Sequence, residues 1–223
     1  MTETQIFDPE ARAISYAVEG NGPTVVLVAD KGLPIDYLGT LAHILVEEDF
    51  HRFYGANTQQ WSGAMAEILG HPDANEIATR TINHLESLYR AGRVQVIPAG
   101  VAAVRRAAAR GPVAIASGSP RSIIATLIEL LGLADVVHTY VSCDEVAGGK
   151  PLPDVYLEAC RRINIAPERS LAIEDSLAGA RAGKAAGMSV VVVPLPGAPS
   201  STGAAEIADV VLTSLDELPL AAR

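Results

Sequence analysis

The chain is short of basic charge, of cysteine and of long apolar runs, and each shortage removes a class of function. Its 223 residues carry 17 Lys and Arg against 26 Asp and Glu, for a net charge of −9 and a pI near 5.0. No basic patch outweighs that acidic field, so neither a nucleic-acid partner nor an anionic membrane is expected. The two cysteines, Cys143 and Cys160, fit reduced thiols of a cytosolic protein and read as packing residues. The opening MTETQIFDPEAR lacks the basic region and apolar core of a signal peptide, and no apolar run is long enough to span a bilayer. These features point to the cytoplasm. The five histidines (His43, His51, His71, His84, His138) are scattered, so a metal cluster built from them is not expected. There are no internal repeats or low-complexity tracts. No G-x-S-x-G elbow occurs anywhere, which excludes a serine hydrolase of that kind.

What is present is regular from residue 98 onward. With 49% hydrophobic and 19% charged residues, the chain suffices for one α/β core and a small accessory domain. Helices are expected over 101–110, 122–131, 154–163 and 177–186, with Gly111, Gly132 and Gly187 as left-handed closures. Strands are expected over 113–116, 136–142, 171–173, 190–193 and 210–212. The continuous apolar run at 190–193 suits a strand covered on both faces. This alternation predicts a doubly wound parallel sheet with right-handed crossovers, whose chemistry collects at the carboxyl ends of the strands. Residues 50–97 differ. Helical patches at 61–69 and 74–89 dominate, and Ile77, Ile82, Leu85 and Leu88 recur at helical spacing as core positions. The expected division is an α/β core of 1–49 and 98–223, a helical cap of 50–97, and an atypical extension of 1–23.

Three runs fall at strand ends: Ser117 in AIASGSPRS, Lys150 in GGKPLPDVYLEA, and Glu174-Asp175 in LAIEDSLAG. Alone, each has a bland reading. A turn serine caps, a lysine before proline is solvated, and acids at a helix start serve the helix dipole. Together and in order, with the same flanking residues, they resemble the second, third and fourth motifs of the haloacid dehalogenase superfamily. The similarity covers about residues 50–215. It is greatest to the β-phosphoglucomutase-like group with a helical cap, including AGMSVVVVP after the fourth motif.

The resemblance implies attack by an aspartate on a phosphate ester beside Mg2+, through an aspartyl-phosphate. The residue types suit that chemistry, because a dianionic phosphoryl group needs donors and cations aimed at its equatorial oxygens. Ser117 offers a hydroxyl and Gly118 a closely approaching N–H. Lys150 is a point charge able to hold both phosphate and nucleophile. Glu174 and Asp175 are hard oxygen ligands for Mg2+. The expected partner is a small phosphorylated metabolite.

The family's first motif, D-x-D-G-T, is not intact. The best strand for it is 24–29, in PTVVLVADKGLPID. One register places Ala29 at the nucleophile and Lys31 at the second aspartate. A shift of one residue makes Asp30 the nucleophile and a third metal ligand. Asp8, in QIFDPEA, ranks last because its strand is too polar for the centre of a sheet. In either leading register the second aspartate is lost. In family phosphatases it protonates the leaving group, a step worth roughly 10²–10⁴ in rate. In the Ala29 register, Lys31 would stand near Glu174 and Asp175 and would weaken or abolish Mg2+ binding. The segment ISYAVEGNGPTVVLVADKG resembles the opening strands of α/β-hydrolases, and 14–18 reads as a hairpin partner of 24–29. Two functions follow: a Mg2+-dependent hydrolase or sugar-phosphate mutase with Asp30 attacking, or a catalytically silent protein of the same fold that binds a phosphate ligand or a protein partner.

Overall fold

The computed structural model describes residues 14–16, 26–28, 56–93, 96–194 and 201–218. Their elements alternate as the pattern predicts. After strands β1 (Ile14–Tyr16) and β2 (Val26–Val28) come helices α1 (Thr58–Leu69), α2 (Ala74–Arg90) and α3 (Pro98–Ala108). Strand β3 (Ala114–Ser117), helix α4 (Arg121–Leu130), strand β4 (Thr139–Ser142) and helix α5 (Asp154–Ile163) follow. Strand β5 (Leu171–Glu174), helix α6 (Leu177–Ala185), and strands β6 (Ser189–Val192) and β7 (Val210–Val211) complete the set.

β3 pairs with β4, β5 with β6 and β6 with β7, all in parallel. β3 and β5 are buried along their whole length, as strands covered on both faces must be. The main core gathers β3, β5 and β6 with the inner faces of α3, α5 and α6, from Val104 and Ile115 to Tyr156, Ile173 and Val190. β1 and β2 form the expected antiparallel pair, Ile14 opposite Val28 and Tyr16 opposite Val26. β2 lies alongside both β3 and β5, and β1 packs near β5 and α3. The pair therefore lies near both parallel ladders, while among the described residues it forms a ladder of its own.

α1 and α2 form a helical pair with a small core of their own, Trp61, Met65, Ile77 and Ala78. Asn57 and Gln60 build a reciprocal capping box at the start of α1, and Asp73 caps α2. A second cluster, Leu85, Leu88 and Tyr89 against Ile123, joins α2 to α4. The start of α1 is also tied to the turn after β4. There the Asp144 carboxylate accepts from the Thr58 amide and hydroxyl, both at 2.6 Å.

Several boundaries move for local reasons. β4 begins at Thr139, not at 136, because the Val136 and Val137 amides both bond to the Leu133 carbonyl and wind into a turn. β5 runs on to Glu174, whose carbonyl accepts from Val193 at 2.8 Å. α3 starts at Pro98, a residue pre-set for a first helical position. Gly132 and Gly187 take the expected positive φ, but Gly111 does not. The end of α3 closes instead through a tightened turn in which the Arg110 and Gly111 amides share the Ala107 carbonyl.

Candidate active site

The site is built on the ends of β3 and β5 and the loop between β4 and α5. β3 delivers Ser117, in register with Ser142 on β4. The turn beyond it is fastened from both sides. Ser117 Oγ accepts from the Ser119 amide at 3.0 Å, and Ser142 Oγ donates to the Ser119 carbonyl at 2.6 Å. Ser117, Ser119 and Ser142 are all buried. Gly118 sits in the turn between β3 and α4, half-buried.

Lys150 is only 7% exposed, an unusual state for a lysine. Burial of an ammonium is tolerated when it is paired and hydrogen-bonded. Here Nζ donates to the Ala116 carbonyl at 3.2 Å and to Glu174 Oε1 at 2.5 Å. Those two acceptors take two of its three N–H donors. The ammonium also stands 5.0 Å from the centroid of the Tyr156 ring, within cation–π range.

Glu174, 1% exposed, is the hub of this cluster. Its Oε1 accepts from both Lys150 and the Tyr156 hydroxyl. Its Oε2 accepts from Ser176 Oγ at 3.2 Å. Space for the carboxylate is made by Gly179 on the first turn of α6, where a Cβ would overlap both carboxylate oxygens. Burial, reinforced by the adjacent Glu174 charge, pushes the Tyr156 phenol well above its ordinary pKa, so it remains a proton donor. Asp175 follows, also buried, with its carbonyl accepting from Ser201 Oγ at 2.6 Å.

The structure thus brings Ser117, Lys150 and Glu174 together, with Gly118 and Asp175 beside them. Asp8, Ala29, Asp30 and Lys31 lie outside the described residues, and so do His43 and His51. A cation for Glu174 was expected of Lys31 in one register; among the described residues that cation is Lys150. Cys143 and Cys160 are buried free thiols, as read. Burial holds the Cys143 thiol above its usual pKa despite the nearby Lys150 charge, which suits packing rather than reactivity. Tyr156 and Gly179 were missed in the sequence. The signal for Tyr156 was its place on the inner face of α5, six residues after Lys150, where a phenol needs a partner.

Comparison with known proteins bears on this arrangement. The haloacid dehalogenase-like hydrolase family matches residues 9–187, and the chain belongs to that family. It is 32% identical over 161 residues to hexitol phosphatase B of Escherichia coli K12, covering 72% of this chain and 68% of that one. It is 38% identical over 130 residues to the bifunctional riboflavin kinase/FMN phosphatase of Arabidopsis thaliana, a match spanning 57% of this chain but only 34% of the relative. Among solved structures, β-phosphoglucomutase of Clostridium difficile superposes with a TM-score of 0.67 at 18% identity, covering 86% of this chain and 92% of that chain. That last likeness bears on the fold alone.

Proposed function

We propose that the chain is a phosphatase or sugar-phosphate mutase acting on a small phosphorylated metabolite through an aspartyl-phosphate. The observation that carries this is the bonding of Lys150 to both strand ends at once, to the Ala116 carbonyl beside Ser117 and to Glu174 beside Asp175. One fixed cation thereby stands between an anion-binding turn and a carboxylate pair. The phosphatase relatives support the same reading.

In this reading the Asp30 carboxylate bonds to phosphorus as the ester P–O bond breaks and the leaving oxygen takes its proton from water; water or an acceptor hydroxyl then cleaves the aspartyl-phosphate, while Ser117, Gly118 and Lys150 hold the equatorial oxygens as their charge develops. Among the described residues no group of three or more metal-ligating side chains gathers. A Mg2+ would therefore rest on one or two carboxylates and water, the way Mg2+ is ordinarily held. Asp175, a buried hard-oxygen donor, and Asp30 would hold it, while Glu174 is engaged by Lys150, Tyr156 and Ser176. Bound Mg2+ would neutralise the charge shared between the attacking carboxylate and the phosphoryl group. The α1–α2 helical pair is the cap that sets substrate choice.

The test uses an aryl phosphate, whose leaving group needs little protonation and so depends least on a second aspartate. Slow Mg2+-dependent turnover is expected, abolished by Asp30→Asn. Turnover untouched by Asp30→Asn would remove Asp30 from the mechanism. Phosphate-dependent thermal stabilisation without any turnover would favour the silent binder instead.

A further inference from the structure

Tyr156 stands outside the reacting groups, yet it is the most deeply buried polar aromatic of the site, 0% exposed on the first turn of α5. Its hydroxyl donates to the same Glu174 oxygen that Lys150 uses. Its ring lies under the Lys150 ammonium, 5.0 Å from centroid to Nζ. A lysine head is a compact charge on a four-carbon stem and carries large rotamer freedom. Its aim is only as good as the acceptors that hold it. One of these, the Ala116 carbonyl, belongs to the rigid sheet. The other is a side-chain carboxylate free to rotate about its terminal torsion unless its oxygens are themselves held.

We propose that Tyr156 is a positioning residue for Lys150, acting through Glu174; the inference rests on the phosphoryl-binding reading of Lys150. Oε2 is held by Ser176 and walled by Gly179. Oε1 would be held by the ammonium alone if the phenol were absent. Tyr156 therefore closes the set of donors that locks the carboxylate plane, and the locked plane orients the last N–H of Lys150 toward the phosphoryl oxygen. The phenol donates here, its hydroxyl set directly against the Glu174 oxygen that it shares with Lys150.

Tyr156→Phe keeps the ring and deletes the hydroxyl, so packing and the cation–π contact survive. Two readouts on the full chain decide the matter: aryl-phosphate kinetics, and the ammonium resonance of Lys150 in protein labelled with ¹⁵N-lysine. The resonance is assigned by its loss in Lys150→Met. Wild type should show a slowly exchanging Lys150 ammonium signal, and Tyr156→Phe should displace or broaden it. kcat should fall by about 10- to 100-fold, since a misplacement near 1 Å costs up to that much, while KM stays nearly constant. An unchanged resonance in Tyr156→Phe, the lack of any slowly exchanging signal in wild type, or a raised KM with unchanged kcat would each overturn the proposal. A displaced resonance in a wild-type protein that turns over no phosphate ester would support the positioning role and sink the phosphatase reading alone.

Discussion

Helix α5 carries two ionic clusters on opposite faces, and they differ in almost everything but distance. Inward, Tyr156 shares Glu174 with Lys150, whose side chains are 4% and 0% exposed, at 2.5 Å. Outward, Glu158 bonds Arg161 and Arg162 at 2.7 Å, and Arg162 joins Arg121 on Glu145. Arg121 and Arg162 also both donate to the Tyr140 carbonyl, pinning β4 from outside. Short contacts alone would rank the two clusters as equals. Solvent separates them. Exposed pairs gain little from Coulomb attraction and lose side-chain entropy, so they contribute about 0–1 kcal/mol. The inner pair gains little net stability over an apolar core, yet breaking it strands a charge where water cannot reach.

The comparison is broken most severely by Lys150→Met. That change leaves the Glu174 carboxylate buried with only hydroxyl donors, and should cost about 3–5 kcal/mol in urea unfolding as well as abolish phosphate-dependent stabilisation. A loss below about 1 kcal/mol would place this pair in the same class as the outer network. Next comes Gly179→Ala. The added methyl meets the Glu174 carboxylate, and such overpacking costs about 1–3 kcal/mol. Better helix propensity returns up to about 1 kcal/mol, so a net fall in melting temperature is expected. A rise would mean that Glu174 is not seated where its bonds to Lys150 and Tyr156 place it.

The smallest effect belongs to the outer face. Arg161 and Arg162 hold the Glu158 carboxyl down from 4.5 to about 2. A lowered carboxylate pKa contributes stability above the unfolded value and loses it as pH falls. Glu158→Gln should therefore differ from wild type by less than about 1 kcal/mol at neutral pH. That difference should vanish as pH drops from about 4.5 to about 2. A gap that persists at the acid end would show that packing of the stem, not charge, sets its value.

Much of the site was legible because its residues sit at changes of pattern. Ser117 and Glu174 each end an apolar run and Lys150 stands in a loop; pattern placed them at element boundaries, and the resemblance to the haloacid dehalogenase motifs joined them into a site. The extent of β4 was less legible, because the Val136 and Val137 side chains read as strand while their amides turn back to Leu133. Tyr156 was illegible as a functional group. At helical spacing with Val155, Ala159 and Cys160 it reads as ordinary core, and its hydroxyl finds a partner 18 residues away on another strand. Gly179 was silent for a related reason: near a helix start it reads as a weak helix residue, and only the neighbouring strand explains why a side chain cannot stand there.

By itself the sequence determined the alternation of strands and helices, the helical patches at 61–69 and 74–89, the parallel core and, through the motif resemblance, the three motif residues. Hydrophobic period and chain order are local properties that survive without coordinates. Only the tertiary structure decided which charge answers which. Lys150 and Glu174 lie 24 residues apart, and either could have faced water or another partner. What joins them is the Lys150 side chain itself, reaching from its loop to the Ala116 carbonyl on β3 and the Glu174 carboxylate on β5, where the scarcity of water leaves an ammonium and a carboxylate no better acceptor and donor than each other.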